Sequence, residues 1–563
     1  MKKIKLLTLI LTFILSLTLG VVACGDNGSG SGEGDKPATP SGPVIVNVEG
    51  TKGLKYELKT NALKGTKYAI CTGIGTATDT DIVIASHYEG YLVKEVKQAA
   101  FKGNTDITSV TMVNGMEKIN LYVFQNCTSL ASVTLPETLK SIGQNSFDGC
   151  EMLLNVCNDS EIQIIKGDTM NGAVGNYACN IYSSKSGEAG KFVTEGDYEV
   201  FEFPNNKYIL KYNGNPAEIV FPQGTTGIYK EVFKNNTDIT EIVFPRELSY
   251  IGKAAFSGCT SLKTVTFPIG TQISEFGTMA FANCTGLEDF IYEDTLTNYL
   301  KIDFLNDTAN PLNSSGTIRI NGRRPQNLEL PKGLTVVKQC AFVNCQDIKT
   351  LVIPESLEVI KPFAFSLSSV EGIVFDGVSN LKIIENYAFA TCQLLRDIKF
   401  PKSVEKIDLQ AFGYCDSIIN VSFENNNNLV ELGQKVFYEC SNLKTVFIGH
   451  NSKLKTVGNE CFYSCQKLSK FSFGNNSKVE SIGSSAFRNC RPIKELYIPA
   501  SCIEIGAWCF SGCFQTRETD DLQIYCALPK MPSGWNVNFN SSKVDVFFGV
   551  PYPTLPEDFS FTA

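Results

Sequence analysis

FQNCTSLASVTLPETLKSIGQNSF, residues 124–147, is the stretch on which the fold turns. It runs from Phe124 to Phe147 through Cys127, Leu130, Val133, Leu135, Pro136, Leu139 and Ile142. The same skeleton returns at Phe256, Cys259, Leu262, Val265, Phe267 and Pro268, and again at Phe487, Cys490, Ile493, Leu496, Ile498 and Pro499. Its anchors are Phe101, Phe124, Phe147, Phe233, Phe256, Phe281, Phe342, Phe365, Phe389, Phe412, Phe437, Phe462, Phe487 and Phe510, mostly 23 to 25 residues apart. A fixed period in this range is the signature of a solenoid.

The pattern has a physical reason. Val133, Thr134 and Leu135 alternate apolar, polar, apolar, the period-two reading of a half-buried strand. Pro136 has no N–H to give a ladder and closes that strand. Leu139, Ile142 and Phe147 must point inward if so short a coil is to have a core. One coil alone buries too little, so coils must stack, with the strands forming a parallel sheet along one side and the Phe rings a ladder inside. The expected fold is therefore a repeat solenoid, about 14 repeats of 23–25 residues with β-rich caps.

The motif resembles the BspA-like class of bacterial leucine-rich repeats, over roughly residues 82–150, 218–284 and 328–513. That resemblance implies a leucine-rich-repeat-like right-handed coil with a parallel β-sheet on one face. It also implies non-catalytic binding at a bacterial cell surface, with adhesion to host matrix proteins or other cells as the expected role.

The chain opens with Lys2, Lys3 and Lys5, an apolar run from Leu6 to Leu19, and Val21-Val22-Ala23-Cys24. This reads as a secretory signal peptide over 1–23, and the small residues before a cysteine resemble a lipobox, so Cys24 is expected to become a lipidated amino terminus. Residues 24–43 are a Gly-, Ser- and Pro-rich tether unable to form a core. The expected location is the cell surface, with the chain anchored to the membrane through lipid. Lys plus Arg number 50 against 58 Asp plus Glu, a net charge of −8, which suits no nucleic acid.

Between the tether and the end, the organisation reads as an N-terminal β cap over 44–85, a first repeat block over 86–150, and an interruption with a β restart over 151–217. A second block over 218–284, an interruption over 285–327, a third block over 328–513 and a C-terminal β cap over 514–563 follow. The restart is suggested by Tyr198-Glu199 and Lys207-Tyr208-Ile209-Leu210, which echo Tyr56-Glu57 and Lys67-Tyr68-Ala69-Ile70.

Twenty cysteines in an exported chain invite a disulfide reading, but the repeat argues otherwise. Eleven stand three after an anchor Phe, and Asn104, Asn236 and Ser368 fill the same slot elsewhere. The slot needs a small side chain that can hydrogen bond the turning backbone. Cys461 and Cys509 form close pairs with Cys465 and Cys513, yet they occupy a position that is alanine in other repeats, which favours a core pocket over a metal site.

Neither a cofactor, a metal site nor an enzyme is expected. The chain has two histidines, His87 and His450, many rungs apart, and both read as ordinary turn or loop residues, His450 facing solvent. What remains is a surface. The outward residue at the centre of each strand forms a row: Thr111, Thr134, Val243, Thr266, Val352, Val374, Lys399, Ser422, Phe447, Ser472 and Tyr497. Aromatic side chains are favoured anchors in recognition surfaces, so Phe447 and Tyr497, with Lys399, are the candidate partner contacts. The expected partner is an extracellular protein or cell surface. The alternative is capture of a glycan or nutrient for an uptake system, which would call for aromatic platforms clustered on one face.

Overall fold

The computed structural model describes residues 43–215, 219–513, 522–541 and 544–556. The expected signal peptide, Cys24 and nearly all of the tether lie outside them. The chain divides into two compact units, Met1–Ala178 and Cys179–Ala563.

Each unit is a β-solenoid that starts on an antiparallel hairpin. In the first, Lys55–Thr60 pairs with Lys67–Gly73, which then pairs in parallel with Tyr91–Val96. In the second, Tyr198–Phe203 pairs with Asn206–Tyr212, which pairs in parallel with Gly227–Ile228. These are the two hairpins that the echoed Tyr-Glu and Lys-Tyr motifs suggest.

Each coil contributes three ladders. The first is the outward sheet of three- to five-residue strands, in which alternate residues face the core. In the second unit it runs as Glu241–Val243 to Ile318–Ile320, Asn327–Glu329 to Gly372–Asp376, Ile398–Phe400 to Lys470–Ser472, and Glu495–Ile498 to Asp545–Phe548. The second ladder is a sheet of two-residue strands, nine of them in unbroken parallel order from Val336–Val337 to Gly534–Trp535. The third is the turn that carries the anchor Phe, whose N–H donates to the residue before the next anchor: Phe389 to Ala411 O at 2.8 Å, Phe462 to Ala486 O at 2.8 Å. Those turns hold two residues in the left-handed region, at two before and two after the anchor, as at Lys435 (φ 60°) and Glu439 (φ 54°) around Phe437. Left-handed backbone costs a non-glycine residue roughly 1–2 kcal/mol, and the inter-coil hydrogen bonds over-determine it.

Inside, the anchor rings stack. From Phe342 to Phe510 successive centroids lie 5.1–5.8 Å apart with planes 4–16° from parallel. Phe101, Phe124 and Phe147 also stack in the first unit, 5.1 and 5.2 Å apart with planes 6° and 22° from parallel.

The cysteine slot is resolved in detail. Apart from Cys345, each slot thiol donates to the carbonyl of the anchor Phe one coil back: Cys127 to Phe101 at 3.1 Å, Cys415 to Phe389 at 3.1 Å, Cys440 to Phe412 at 3.2 Å, Cys513 to Phe487 at 2.9 Å. Asn104 and Asn236 stand in the first anchored coil of their blocks, where no anchor carbonyl precedes them. Their Oδ1 atoms accept instead from backbone N–H groups two and three residues on, at 2.9–3.2 Å. None of the nineteen described cysteines is in a disulfide, and all but Cys179 are buried.

The coils number about 19 rather than 14. The additional ones lack the Phe–Cys signature. Residues 285–327, expected as an interruption, carry Asp289–Tyr292 and Ile318–Ile320, both paired into the outward sheet. Here Tyr299 bridges the ring stack, 6.1 Å from Phe304 and 5.4 Å from Phe342. Beyond 513, Gln523–Cys526 and Asp545–Phe548 add two further parallel rungs.

Candidate binding face

The strands fix an outward row because adjacent residues alternate faces and the register between coils is parallel. In one sheet Lys399, Ser422, Phe447 and Ser472 are direct register partners; in the next, Tyr497, Tyr525 and Phe547 are. The backbone groups within these strands are committed to the ladder, so side chains and the backbone just past the strand ends hold what is laid on the face.

Part of it is already occupied. Residues 550–556, carrying Pro551, Pro553 and Pro556, cross the strands as an extended strap. The Tyr552 hydroxyl accepts from Phe473 N at 3.1 Å and lies 3.3 Å from Ser472 Oγ. Burial pushes that phenol up, so it stays protonated. The Asn475 amide clamps Leu555 at two points, donating to its carbonyl at 2.7 Å and accepting its N–H at 3.0 Å. His450 Nδ1 accepts from Asn475 N at 3.0 Å, so Nε2 carries the hydrogen and donates to Pro556 O at 2.8 Å.

The strap corrects two expectations. His450 is 4% exposed, a buried clamp instead of a solvent-facing loop residue. Phe447, expected as an exposed contact, is 5% exposed and packs edge-on against His450 at 5.2 Å. His450 is held by a remote segment with no repeat of its own, through Pro556, and Phe447 packs against that clamp.

Tyr497 is half-buried and begins an aromatic ladder, 4.8 Å from Tyr525, which is 5.3 Å from Phe547; Tyr552 meets Tyr497 edge-on at 6.0 Å. Burial first, then Glu495 and Tyr525, push the Tyr497 phenol up. Tyr525 and Phe547 belong to the same face, although the region beyond 513 reads in sequence as a cap. The signal for them was present in the apolar–polar alternation of Gln523–Cys526 and Asp545–Phe548.

Lys399 lies away from that ladder. It stands exposed in a groove of about 630 Å³ on the outward sheet, with Lys402, Asn420 and Ser422 around it and Phe375 and Phe447 as apolar walls. Asp397 and Glu424 also line the groove. Asp397 Oδ1 accepts from Asn420 N and Nδ2, both at 3.0 Å, and Glu424 Oε2 from Lys402 N at 3.3 Å. The ammonium groups of Lys399 and Lys402 have no hydrogen-bond or ion-pair partner among the described residues. The structure thus brings Lys399 and Phe447 into one groove and places Tyr497 outside it.

Among the described residues there is no group of three His, Cys, Asp or Glu side chains placed to share a metal ion, and no helix long and apolar enough to cross a membrane.

A family profile described as BspA type leucine rich repeat region matches residues 91–182, 206–317, 321–428 and 382–517. Among solved structures, the chain is similar to a leucine-rich repeat protein from Bacteroides ovatus ATCC 8483, at 20% identity, covering 88% of this chain and 98% of that one with a TM-score of 0.39. A leucine rich cell surface protein from Faecalibacterium prausnitzii A2-165 matches at 20% identity over 65% of this chain and 96% of that one, TM-score 0.37. The pneumococcal vaccine antigen PcpA matches at 14% identity over 90% and 99%, TM-score 0.35. No curated protein matches the chain.

Proposed function

The chain belongs to the BspA-type leucine-rich repeat family, and we propose that it is a cell-surface adhesin that binds a protein partner through the outward face of its last repeat block. The carrying observation is the groove around Lys399: a recess whose two ammonium groups have no partner among the described residues, with apolar walls and a face that already holds an extended segment beside it. Recognition surfaces combine such apolar anchors with a few placed polar groups. In this reading Cys24 carries lipid and residues 24–43 hold the solenoid off the membrane.

The deciding experiment presents residues 44–563 to immobilised matrix proteins, intact cells and a glycan array at fixed salt. Saturable binding to a protein or cell, weakened at least tenfold by Ser422→Arg in the groove floor, supports the reading. Binding to a protein that is indifferent to this change sinks the site, and silence on proteins and cells sinks adhesion. A Cys24→Ser chain expressed with a clickable palmitate should lose its label; retained label overturns the anchor.

Glycan capture is favoured by one observation, the clustering of Tyr497, Tyr525 and Phe547 on one face. Their geometry weighs against it. The rings are stacked on one another, so they turn edges outward, whereas a sugar ring packs on an aromatic face. Glycan-only binding in the screen would reverse that judgement.

A further inference from the structure

We propose that the groove at Lys399 on the outward face binds one extended peptide segment of a partner protein, laid across the strands in line with the 550–556 strap and holding a carboxylate against Lys399. This rests on the protein-binding reading above and adds the chemistry of what is bound.

The strap shows the mode. With the strand backbones committed to their ladders, the face holds the strap's main chain through the side-chain amide of Asn475 and the imidazole of His450, while the strap's Tyr552 hydroxyl accepts from Phe473 N just past a strand end. Such contacts read an extended backbone, and prolines suit them because that backbone keeps few hydrogen bonds of its own.

The direction of the strap defines the track. Tyr552 sits on the coil of Ser472, and Pro556 has reached His450, which follows the strand one coil earlier. Continuing the same way, the face runs over Ser422 and then Lys399, the floor of the groove. Two more rungs span about 10 Å at roughly 4.8 Å each, which about three extended residues cover.

The floor selects the ligand. Ser422 offers a hydroxyl like that of Ser472 beside the strap, while the Asn420 amide is engaged with Asp397 and Thr445. Lys399 and Lys402 present ammonium groups without partners among the described residues, while the carboxylates of Asp397 and Glu424 already accept hydrogen bonds. A peptide carboxylate set between the walls of Phe375 and Phe447 would form a charge-assisted hydrogen bond partly shielded from water.

The test uses residues 44–563 and three acetylated decapeptides, alike in proline and phenylalanine content, carrying two Glu, two Gln or two Lys at their centre. A neutral and a uronic hexasaccharide serve as glycan arms. Fluorescence anisotropy should show the Glu peptide bound about tenfold or more tightly than the Gln peptide. Lys399→Gln should erase that preference without moving the melting temperature. Equal binding of the three peptides, a preference that survives Lys399→Gln, or a hexasaccharide lost on Lys399→Gln while the peptides are unaffected overturns the proposal. If a protein partner is found in the matrix screen and no peptide binds, the peptide groove falls and the protein-binding reading stands.

Discussion

Phe412→Ala is the sharpest probe of the stacked core. The ring is 0% exposed, sandwiched between Phe389 at 5.2 Å and Phe437 at 5.7 Å, with Phe400 edge-on at 5.5 Å. Truncating a buried Phe costs about 3–5 kcal/mol, from lost transfer energy and the cavity left behind. The larger end applies here, because the coils above and below are held apart by three backbone ladders and cannot collapse into the void. Phe510 provides the contrast. One of its faces meets Phe487 at 5.8 Å, but on the other side Phe539 lies edge-on at 6.3 Å, so Phe510→Ala should cost less. A solenoid couples only nearest neighbours, so the loss should be read locally, by hydrogen exchange in denaturant. Protection should fall in the coils of Phe389, Phe412 and Phe437 and stay unchanged in the first unit. A loss below about 1 kcal/mol, or one spread evenly along the chain, refutes the stacked ladder.

Gly458→Ala should destabilise by about 1–3 kcal/mol or more, since its Cβ would meet the Gly433 backbone at 2.4 Å. Gly372→Ala, with nothing within 4 Å of the new methyl, should be neutral or gain up to about 1 kcal/mol; chemical melts that rank the two the other way would refute the close-approach reading. Burial pushes the Cys259 and Cys284 thiols up to about 12, so native iodoacetamide at pH 8 should label Cys179 first among the described cysteines. Mass spectrometry finding Cys259 labelled as fast as Cys179 would contradict that burial. In the first unit, burial raises the Glu117 carboxyl, but the ammonium groups of Lys94 and Lys140, each at 2.8 Å, outweigh it and hold the group below its ordinary value. A carboxyl depressed in the folded state adds stability above its unfolded pKa, about 4.3, and that stability is lost as pH falls through the folded value. Glu117→Gln should therefore narrow its deficit to the parent as pH drops from 7 to 3, and a deficit constant with pH would show the pair to be inert.

The core was legible because every coil must solve the same problem with the same residues. Phe at a fixed period, Val133-Thr134-Leu135 alternation and the Cys, Asn or Ser slot each reflect a constraint that repeats with the backbone. What escaped the sequence is what does not repeat. The coils of Asp289–Tyr292 and Ile318–Ile320 use Tyr299 in place of an anchor Phe, so the period hides while the fold continues. The left-handed turn positions left a weaker mark: Gly or Asn fills the site two after the anchor at Gly103, Asn126, Gly149, Asn235, Gly258, Asn283, Asn344, Asn489 and Gly512, but Glu439 and Tyr414 adopt the same conformation under the pull of the ladder.

The candidate site lies at the opposite extreme. Outward residues are free to vary because the ladders do not depend on them, so the row from Lys399 to Ser472 records no structural constraint that a period could reveal. Its burial is set by a segment more than 80 residues downstream of His450, with no repeat to announce it. The sequence did hold two clues: prolines at 551, 553 and 556 enforce extended backbone, and Asn475 and His450 stand at equivalent positions after successive strands. A side-chain amide and an imidazole in consecutive coils, each with a polar group aimed off the sheet, are what a face needs to grip main chain once its own backbone is spent. Function on this scaffold is therefore written where the repeat is silent, and departures from the period, such as Lys399 among short outward side chains, carry more information about binding than the period itself.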